Sequence, residues 1–540
     1  MEGSFDYIVV GAGSAGCVLA HRLTASGNHR VLLIEAGGED RNLWIHVPIG
    51  YAKLFADPKN NWLYNSEPEP ELGGRSIIQP RGKVMGGSSS INGLLYIRGQ
   101  AEDFDHWRQL GNAGWSFTDV LPYFRRAEDQ ERGEDELHGV GGPLSVRDVS
   151  EPHPLCEAFI EACEQAGIPR TDDFNGASQE GAGYFQLTTR KGRRWSTARG
   201  YLAPARRRGN LAVVSNALTT RILFEGRRAV GVEYRKDGAT HTARANGEVI
   251  LSSGAFNSPQ LLQLSGVGPA DLLAQHGIKV IADMKGVGAD LQDHYQARLN
   301  YRSRTHNTIN DMMGSLTGRV AAGLRYALLR KGLLTIGAGY AGAFAKTDPM
   351  MATPDVQFHF ILFSADSVGQ KLHPWPGFLA SICQLRPESR GFVRIKSSDP
   401  AQAPAIQPRY MSAQADRDTM VAGLKLLRRV MSRPAMMRYI DEELAFGQKI
   451  HSDDDYLEYA RQRGTTVFHP TSTCRMGSDV TAVVDERLRV HGFGGLRVAD
   501  ASIMPTVVSG NTNAACVMIG VKASDMILQD AVVTKTPAAA

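Results

Sequence analysis

The residues best suited to proton chemistry lie late in the chain. Val467-Phe468-His469-Pro470-Thr471-Ser472-Thr473-Cys474 sets a histidine directly before a proline. Proline restricts the residue before it to extended backbone, so the imidazole stands on a stiff support. Its ordinary pKa lies near working pH, which suits a general base. The competing reading is a satisfied structural histidine. Further on, Asn511-Thr512-Asn513 offers amides that can hold a hydroxyl or an alkoxide oxygen without adding charge. Cys474 is close enough in sequence to raise a Cys–His nucleophile pair. A small buried thiol is the simpler account of it.

These groups need a scaffold, and the first 37 residues supply its pattern. Phe5–Val10 reads as a buried strand, and Gly11-Ala12-Gly13-Ser14-Ala15-Gly16 follows at once. Cys17–Leu23 reads as a helix, and Val31–Glu35 as a second strand ending in an acid. This is a complete βαβ dinucleotide unit. Gly11 permits the tight turn, Gly13 lets the backbone approach a diphosphate, and Gly16 lets the helix pack on the strand. The diphosphate then meets the free N–H groups at the helix N-terminus. Glu35 has the spacing of a carboxylate that accepts hydrogen bonds from a ribose diol. The unit alone leaves NAD and FAD both open.

At 540 residues the chain is too long for one core, so two domains are expected. Its 42% hydrophobic and 21% charged residues are those of a globular protein. A net charge of +4 gives no argument for nucleic acid. The densest basic run, Arg206-Arg207-Arg208, reads as a solvated turn. No apolar run has the 18 or so residues of a membrane helix, and no secretory pattern precedes the first strand. The six cysteines are scattered without CxxC spacing, so metal clusters have no support and no metal is expected. A cytoplasmic location follows most simply.

A second Gly/Ser concentration, Gly82-Lys83-Val84-Met85-Gly86-Gly87-Ser88-Ser89-Ser90-Ile91-Asn92-Gly93, could aim several backbone N–H groups at one place. Residues 103–130 read as helical. Glu248–Ala255 reads as a buried strand leading into a helix that Ser258 caps, with Pro259 at its first position and Gly266 at its end. Residues 419–431 and 517–528 read as helices, and 316–334 as a further one. That last helix has Val320, Leu324, Ala327 and Leu328 on one face. It is read as a substrate-side helix with solvated arginines, with a peripheral contact to the inner face of a membrane, or to an electron-accepting partner, as the alternative. No second glycine fingerprint occurs between about 300 and 465, so this stretch reads as a separate layer. The two chain ends then build one domain around it.

Taken in order and spacing, these segments resemble the glucose–methanol–choline (GMC) oxidoreductases nearly end to end. The likeness runs through Gly11–Gly16 with Glu35-Ala36-Gly37, Gly82–Asp105, Gly254–Gly268 and Phe468-His469-Pro470. It continues through Val498–Pro505 and Gly510–Asn513 with Met518-Ile519-Gly520. The resemblance implies an α/β (α+β overall) protein with a Rossmann-like FAD-binding domain of the GMC type. A substrate-binding domain, built on an antiparallel sheet with helices, is inserted. The expected division is 1–155, 200–300 and 465–540 for FAD, and 156–199 and 301–464 for substrate.

It further implies oxidation of an alcohol, with His469 as base and Asn513 as its partner, and hydride transfer to flavin N5. The cofactor contacts it implies are Gly11, Gly13, Ser14, Ala15, Gly16, Glu35, Ala36, Trp62 and Arg81. Gly86, Gly87, Ser88, Asn92 and Gly93 follow, then Thr219, Asp500, Ala501, Asn511 and Thr512. Phe468 and Tyr340 are the expected substrate contacts. Members with covalent flavin carry a histidine where this chain has Ile91, so non-covalent FAD is expected. Choline-specific members have a glutamate where this chain has Tyr340, which disfavours choline and favours a neutral alcohol. Electrons pass to a quinone-like acceptor in the leading reading and to O2 in the next. A flavin-containing lyase and an NAD-binding or structural protein are the more distant alternatives. The substrate, the acceptor and the oligomeric state are not legible.

Overall fold

The computed structural model describes residues 4–366, 370–444, 450 and 452–535. β1 (Ser4–Val10), α1 (Ser14–Leu23) and β2 (Val31–Ile34) make the βαβ start. β1 and β2 run parallel, with Tyr7 opposite Val31 and Val10 opposite Ile34. Both are apolar and almost wholly buried, as in a parallel sheet covered on both faces. A Cβ on Gly16 would lie 1.9 Å from the Gly11 carbonyl oxygen, so only glycine lets α1 close on the turn.

The single helix read across 103–130 is two, Ala101–Gln109 and Phe117–Ala127. Gly111 and Gly114, both at positive φ, separate them. Each is started by a capping box, Gln100 with Asp103 and Ser116 with Asp119. Beyond them, β3 (Gly181–Tyr184) is the first strand of a second sheet. β4 (Leu211–Val214) returns to pair in parallel with β2. β5 (Leu218–Glu225), β6 (Arg228–Lys236) and β7 (Ala239–Leu251) follow as a meander, and the far half of β7 pairs in parallel with β1.

α2 (Gly254–Leu264) starts a turn earlier than the sequence signals suggested. Pro259 lies inside it, and Ser258 does not cap it. The Ser258 hydroxyl donates instead to Asp500 Oδ2 at 2.6 Å.

β8 (Tyr295–Ser303) straddles the boundary read at 300/301 and belongs to the second sheet. α3 (Leu316–Leu329), β9 (Ala341–Ala345), β10 (Val356–Ile361) and β11 (Gly377–Gln384) follow. Next come α4 (Gln414–Met431), β12 (Ile440–Glu443) and β13 (Thr465–Thr466). The second sheet has the order β12-β8-β11-β10-β9-β3 with β13 also on β8, and every pair is antiparallel. β14 (Leu496–Val498) then rejoins the first sheet beside β7, and α5 (Asn513–Lys535) packs on α1. The first sheet thus reads β4-β2-β1-β7-β6-β5 with β14 on β7. Each sheet carries its own apolar core.

α3 turns its apolar row outward, which the spacing alone does not indicate. Its only fully buried residue is Tyr326. Leu316, Val320, Leu324 and Leu328, spaced every four residues, are 53–78% exposed. Among the described residues no helix is long and apolar enough to cross a membrane.

Candidate active site

A cavity of about 1160 Å³ joins the glycine turn of the first sheet to the cavity face of the second. It exceeds the usual range for one small ligand, so it has room for a cofactor and a substrate together.

At one end lie Gly11, Gly13, Ser14 and Ala15, where β1 turns into α1. Glu35 closes this end. Its Oε2 accepts from Ala12 N and its Oε1 from Gly37 N, both at 2.8 Å. Each oxygen keeps a lone pair for a ribose diol. Burial raises the Glu35 pKa to about 7 against the lowering effect of these N–H donors. Thr219 also lines the cavity, and its Oγ1 is buried with no partner. An orphaned hydroxyl and an open carboxylate at one end of a glycine cradle fit a dinucleotide.

The second glycine stretch interlocks with the first. The Gly86 N–H donates to the Ala12 carbonyl at 2.7 Å. A Cβ on Gly87 would lie 2.6 Å from Gly13 Cα, and the Gly87 φ is positive. Gly86 and Gly16 shape the cradle from behind, whereas Gly87, Ser88, Asn92 and Gly93 line it together with Ala36 and Trp62. Asn92 is held by Arg194, whose Nη1 donates to its Oδ1 at 2.7 Å. Ala501 lines the cavity beside Asp500. Asp500 is a buried hub that accepts from Gly254 N, Ser258 Oγ, Ser502 N and Ser502 Oγ.

At the other end stands His469. Its Nδ1 lies 2.9 Å from Nδ1 of His294, and the Nε2 of His294 lies 2.9 Å from the Leu385 carbonyl oxygen. A carbonyl only accepts, so the His294 proton is on Nε2. Burial lowers the His294 pKa to about 4, so the ring is neutral and its Nδ1 is an acceptor. His469 must therefore donate from Nδ1, which leaves its Nε2 unprotonated. That Nε2 faces the Asn511 amide nitrogen at 3.1 Å. Asn511 is oriented in turn by Gln357, whose Nε2 donates to its Oδ1 at 3.3 Å. The His469 pKa is lowered well below its ordinary value by burial, and His294, His359 and Arg81 act the same way.

The backbone around His469 is anchored by Asp293. Its Oδ1 accepts from His469 N at 2.7 Å, and its Oδ2 accepts the Thr466 and Tyr410 hydroxyls at 2.5 Å. Arg81 Nη2 donates to the Phe468 carbonyl at 2.6 Å. Phe468 itself sits at positive φ, a strained state for a bulky residue, and its ring meets Phe55 in the cavity wall.

Two sequence readings change here, and the simpler account of Cys474 holds. Asn513 is not the amide beside His469. Its Oδ1 accepts from Ser14 Oγ at 2.8 Å, which ties α5 to the start of α1 at the glycine turn. Asn511 takes the place beside His469, while Thr512 and Asn513 line the cofactor end. Tyr340 does not line the cavity. It is buried against Tyr184, and its hydroxyl donates to the Glu151 carbonyl. Cys474 is fully buried, and burial holds its thiol well above the ordinary range. It hydrogen-bonds Ser502 through its backbone and forms no pair with His469.

The sequence reading missed Asp293, His294, Arg298 and His359. Gln292-Asp293-His294 before an alternating strand was the available signal, because two titratable groups at a strand start are uncommon in a plain core.

The comparisons agree with this architecture. Models of the GMC oxidoreductase family match residues 5–296 and 387–520. An alcohol dehydrogenase [acceptor] of Pseudomonas putida is 42% identical over 528 residues, covering 97% of this chain and 96% of its own. An oxygen-dependent choline dehydrogenase of Pseudomonas aeruginosa (strain LESB58) is 45% identical over 534 residues, covering 98% and 95%. The crystal structure of pyridoxine 4-oxidase from Mesorbium loti superposes with a TM-score of 0.89 at 30% identity, covering 97% of this chain and 99% of that one. The chain belongs to the GMC oxidoreductase family.

Asp293→Ala leaves the His469 N–H and two buried hydroxyls without their acceptor. A loss of about 3 kcal/mol or more of stability is expected from three orphaned donors. Urea unfolding followed by tryptophan fluorescence measures it, and a loss under about 1 kcal/mol would show that Asp293 anchors nothing.

Proposed function

We propose that this protein oxidises an alcohol to the aldehyde or ketone, with FAD held non-covalently and His469 receiving the hydroxyl proton. The observation that carries the reading is the direction of the hydrogen bonds from the Leu385 carbonyl through His294 to His469. They leave a neutral, unprotonated Nε2 facing the cavity. Asn511 holds the substrate oxygen from its amide nitrogen, adding no charge as alkoxide character develops. The more alkoxide character the oxygen has, the better the adjacent C–H gives up hydride. Bound in this cavity, FAD supplies the acceptor for that hydride. Base and amide are fixed before substrate arrives, which lowers the entropic part of the barrier. The first sheet is the cofactor's platform, and the second is the substrate's.

Several features support the finer parts. Ile91 lines the cavity at the position where covalent members carry histidine, and its side chain has no nucleophile. Acid precipitation is therefore expected to leave the flavin in the supernatant; a yellow pellet would show a covalent bond.

Among the described residues, the carboxylates lining the cavity are Glu35 and Asp500, both engaged at the cofactor end. A quaternary ammonium finds no counter-ion near His469, so choline is disfavoured. For the acceptor, α3 bears on the choice between a quinone and O2. Arg319, Ala322 and Gly323 line the cavity while Leu316, Leu324 and Leu328 face outward. An apolar row with arginines beside it, at the cavity mouth, suits a membrane surface that delivers a quinone. Co-sedimentation with vesicles containing anionic lipid at low salt is expected, and Leu324→Glu with Leu328→Glu should abolish it. Parent protein that stays in the supernatant would remove the membrane and leave O2 as the acceptor to test.

The function itself is tested by anaerobic mixing with an alcohol panel. His469→Ala is expected to keep FAD and lose roughly 10²–10⁴ in the rate of flavin reduction. Because burial depresses the His469 pKa, the base stays neutral as pH falls through the ordinary histidine value of 6.5 and is lost only below it. An acid limb of kcat/KM at or above 6.5, or full flavin reduction by the alanine variant, would overturn the assignment.

A further inference from the structure

Three neighbouring side chains on the second sheet carry unpartnered polar atoms at the cavity. Arg298 on β8 is opposite Ser381 on β11, and Ser381 is opposite His359 on β10. Directly opposed residues lie about 4.5–5.5 Å apart at Cβ, so the three form one row across the sheet. All three line the cavity. Arg298 Nε, Ser381 Oγ and His359 Nδ1 are buried with no hydrogen-bond partner. Buried polar groups are normally satisfied, so three adjacent exceptions in one cavity wall ask for a ligand.

The row has a definite charge. The groups acting on Arg298 are its own burial and the hydroxyls of Tyr51 and Tyr459, not a carboxylate. Burial lowers its pKa to about 10, which leaves the guanidinium charged at neutral pH. His359 is lowered by burial to about 3, so it is a neutral hydrogen-bonding group there. The acids that line the cavity, Glu35 and Asp500, belong to the other end. Lys53, Arg319 and Lys371 also line it, so the basic field extends beyond the row. Such a field raises the local concentration of anions.

Its position relative to His469 is fixed by strand geometry. His294, which touches His469, precedes β8, and residues 294, 296 and 298 alternate onto one face. Four residues of strand span roughly 13 Å, part of which the arginine side chain bridges. A molecule with its hydroxyl at His469 reaches the row if a ring or a medium chain separates its two ends.

We propose that Arg298, with Ser381 and His359 beside it, is the subsite for a carboxylate at the far end of the alcohol substrate. The substrate class is then hydroxy acids whose two groups are separated by a ring or a medium chain. A guanidinium fork matches a planar carboxylate with two parallel hydrogen bonds, and the Ser381 hydroxyl supplies a further donor. The substrate class rests on the alcohol-oxidation reading, whereas the anion subsite itself does not.

The test compares p-(hydroxymethyl)benzoate with benzyl alcohol, and ω-hydroxyoctanoate with octanol, on the holoenzyme. The kcat/KM for the acid of at least one pair is expected to exceed that of its alcohol by roughly 10- to 100-fold, the range of a hydrogen bond to a charged group. Arg298→Gln should erase that ratio and Arg298→Lys should restore part of it. In parallel, benzoate and its neutral isostere benzamide are titrated against the flavin absorbance. Benzoate should bind more tightly, and Arg298→Gln should remove the difference. Equal kcat/KM values within both pairs, or a preference that survives in Arg298→Gln, would overturn the substrate class. If no alcohol is oxidised but benzoate is still selected through Arg298, the alcohol reading and the substrate class fail and the anion subsite stands. If benzoate and benzamide bind alike, the subsite fails whatever the enzyme oxidises.

Discussion

The site depends on one contact, the 2.9 Å approach of the two Nδ1 atoms of His294 and His469. Only one of them can carry the proton, and a backbone carbonyl decides which. Leu385 accepts from the far side of His294, so the proton order runs one way through both rings. Protonating His294 fully would set two N–H groups facing each other in a buried place, whereas His469 takes up a proton at Nε2 without disturbing this contact. The arrangement therefore resists charge on His294, in the same direction as burial does. It also needs several separate parts of the second sheet in register. His294 precedes β8, Leu385 follows β11, and His469 comes just after β13, which pairs with β8. Asp293 locks the third of these by taking the His469 N–H.

The glycine cradle and His469 were legible because their evidence is local. Gly11, Gly13, Gly16 and Glu35 act within one βαβ unit, and Gly16 answers to the Gly11 carbonyl five residues away. The wrong amide shows where local reading stops. Asn511 and Asn513 are two residues apart at the junction of a loop with α5. Which one meets His469 depends on where the helix begins. α5 begins at Asn513, so its side chain joins the helix end at the glycine turn, and the loop residue Asn511 is left for the base. Asp293, His294, Arg298 and His359 were not legible for a related reason. They come from two places in the sequence, 293–298 and 359, and meet only through the register of β8, β10 and β11. The outward apolar row of α3 was missed for a different reason. An apolar face at helical spacing predicts burial, but spacing does not say which side of a helix has a neighbour.

The two sheets divide the chemistry in a way that explains this difference. The first sheet holds most segments with a recognisable pattern, because a diphosphate and a ribose impose fixed demands on backbone and carboxylate. Its polar groups are largely saturated, with Asp500 accepting four hydrogen bonds. The second sheet has no motif and carries unsatisfied groups at Arg298, His359 and Ser381 facing the cavity, while Thr219 on β5 carries one at the cofactor end. Saturated groups hold a shape, whereas orphaned groups in a cavity wall describe the complement of what enters.

Charge on the cavity wall bears on the proposed substrate class. A unit charge 4 Å from another in a partly shielded site interacts by about 4 kcal/mol, or nearly a thousandfold in affinity. On the second sheet's cavity wall, beyond His469, stands the Arg298 guanidinium on β8. The carboxylates on the cavity wall lie at the cofactor end and are hydrogen-bonded there. A trimethylammonium group at the row would meet that repulsion with no counter-ion to offset it, whereas a carboxylate would gain the same magnitude of interaction. The tyrosine hydroxyl at position 340 supplies nothing to either, because it is turned to Glu151. One arginine on a cavity-facing strand, with further basic side chains on the same wall, thus sets the charge preference that the proposed substrate class rests on.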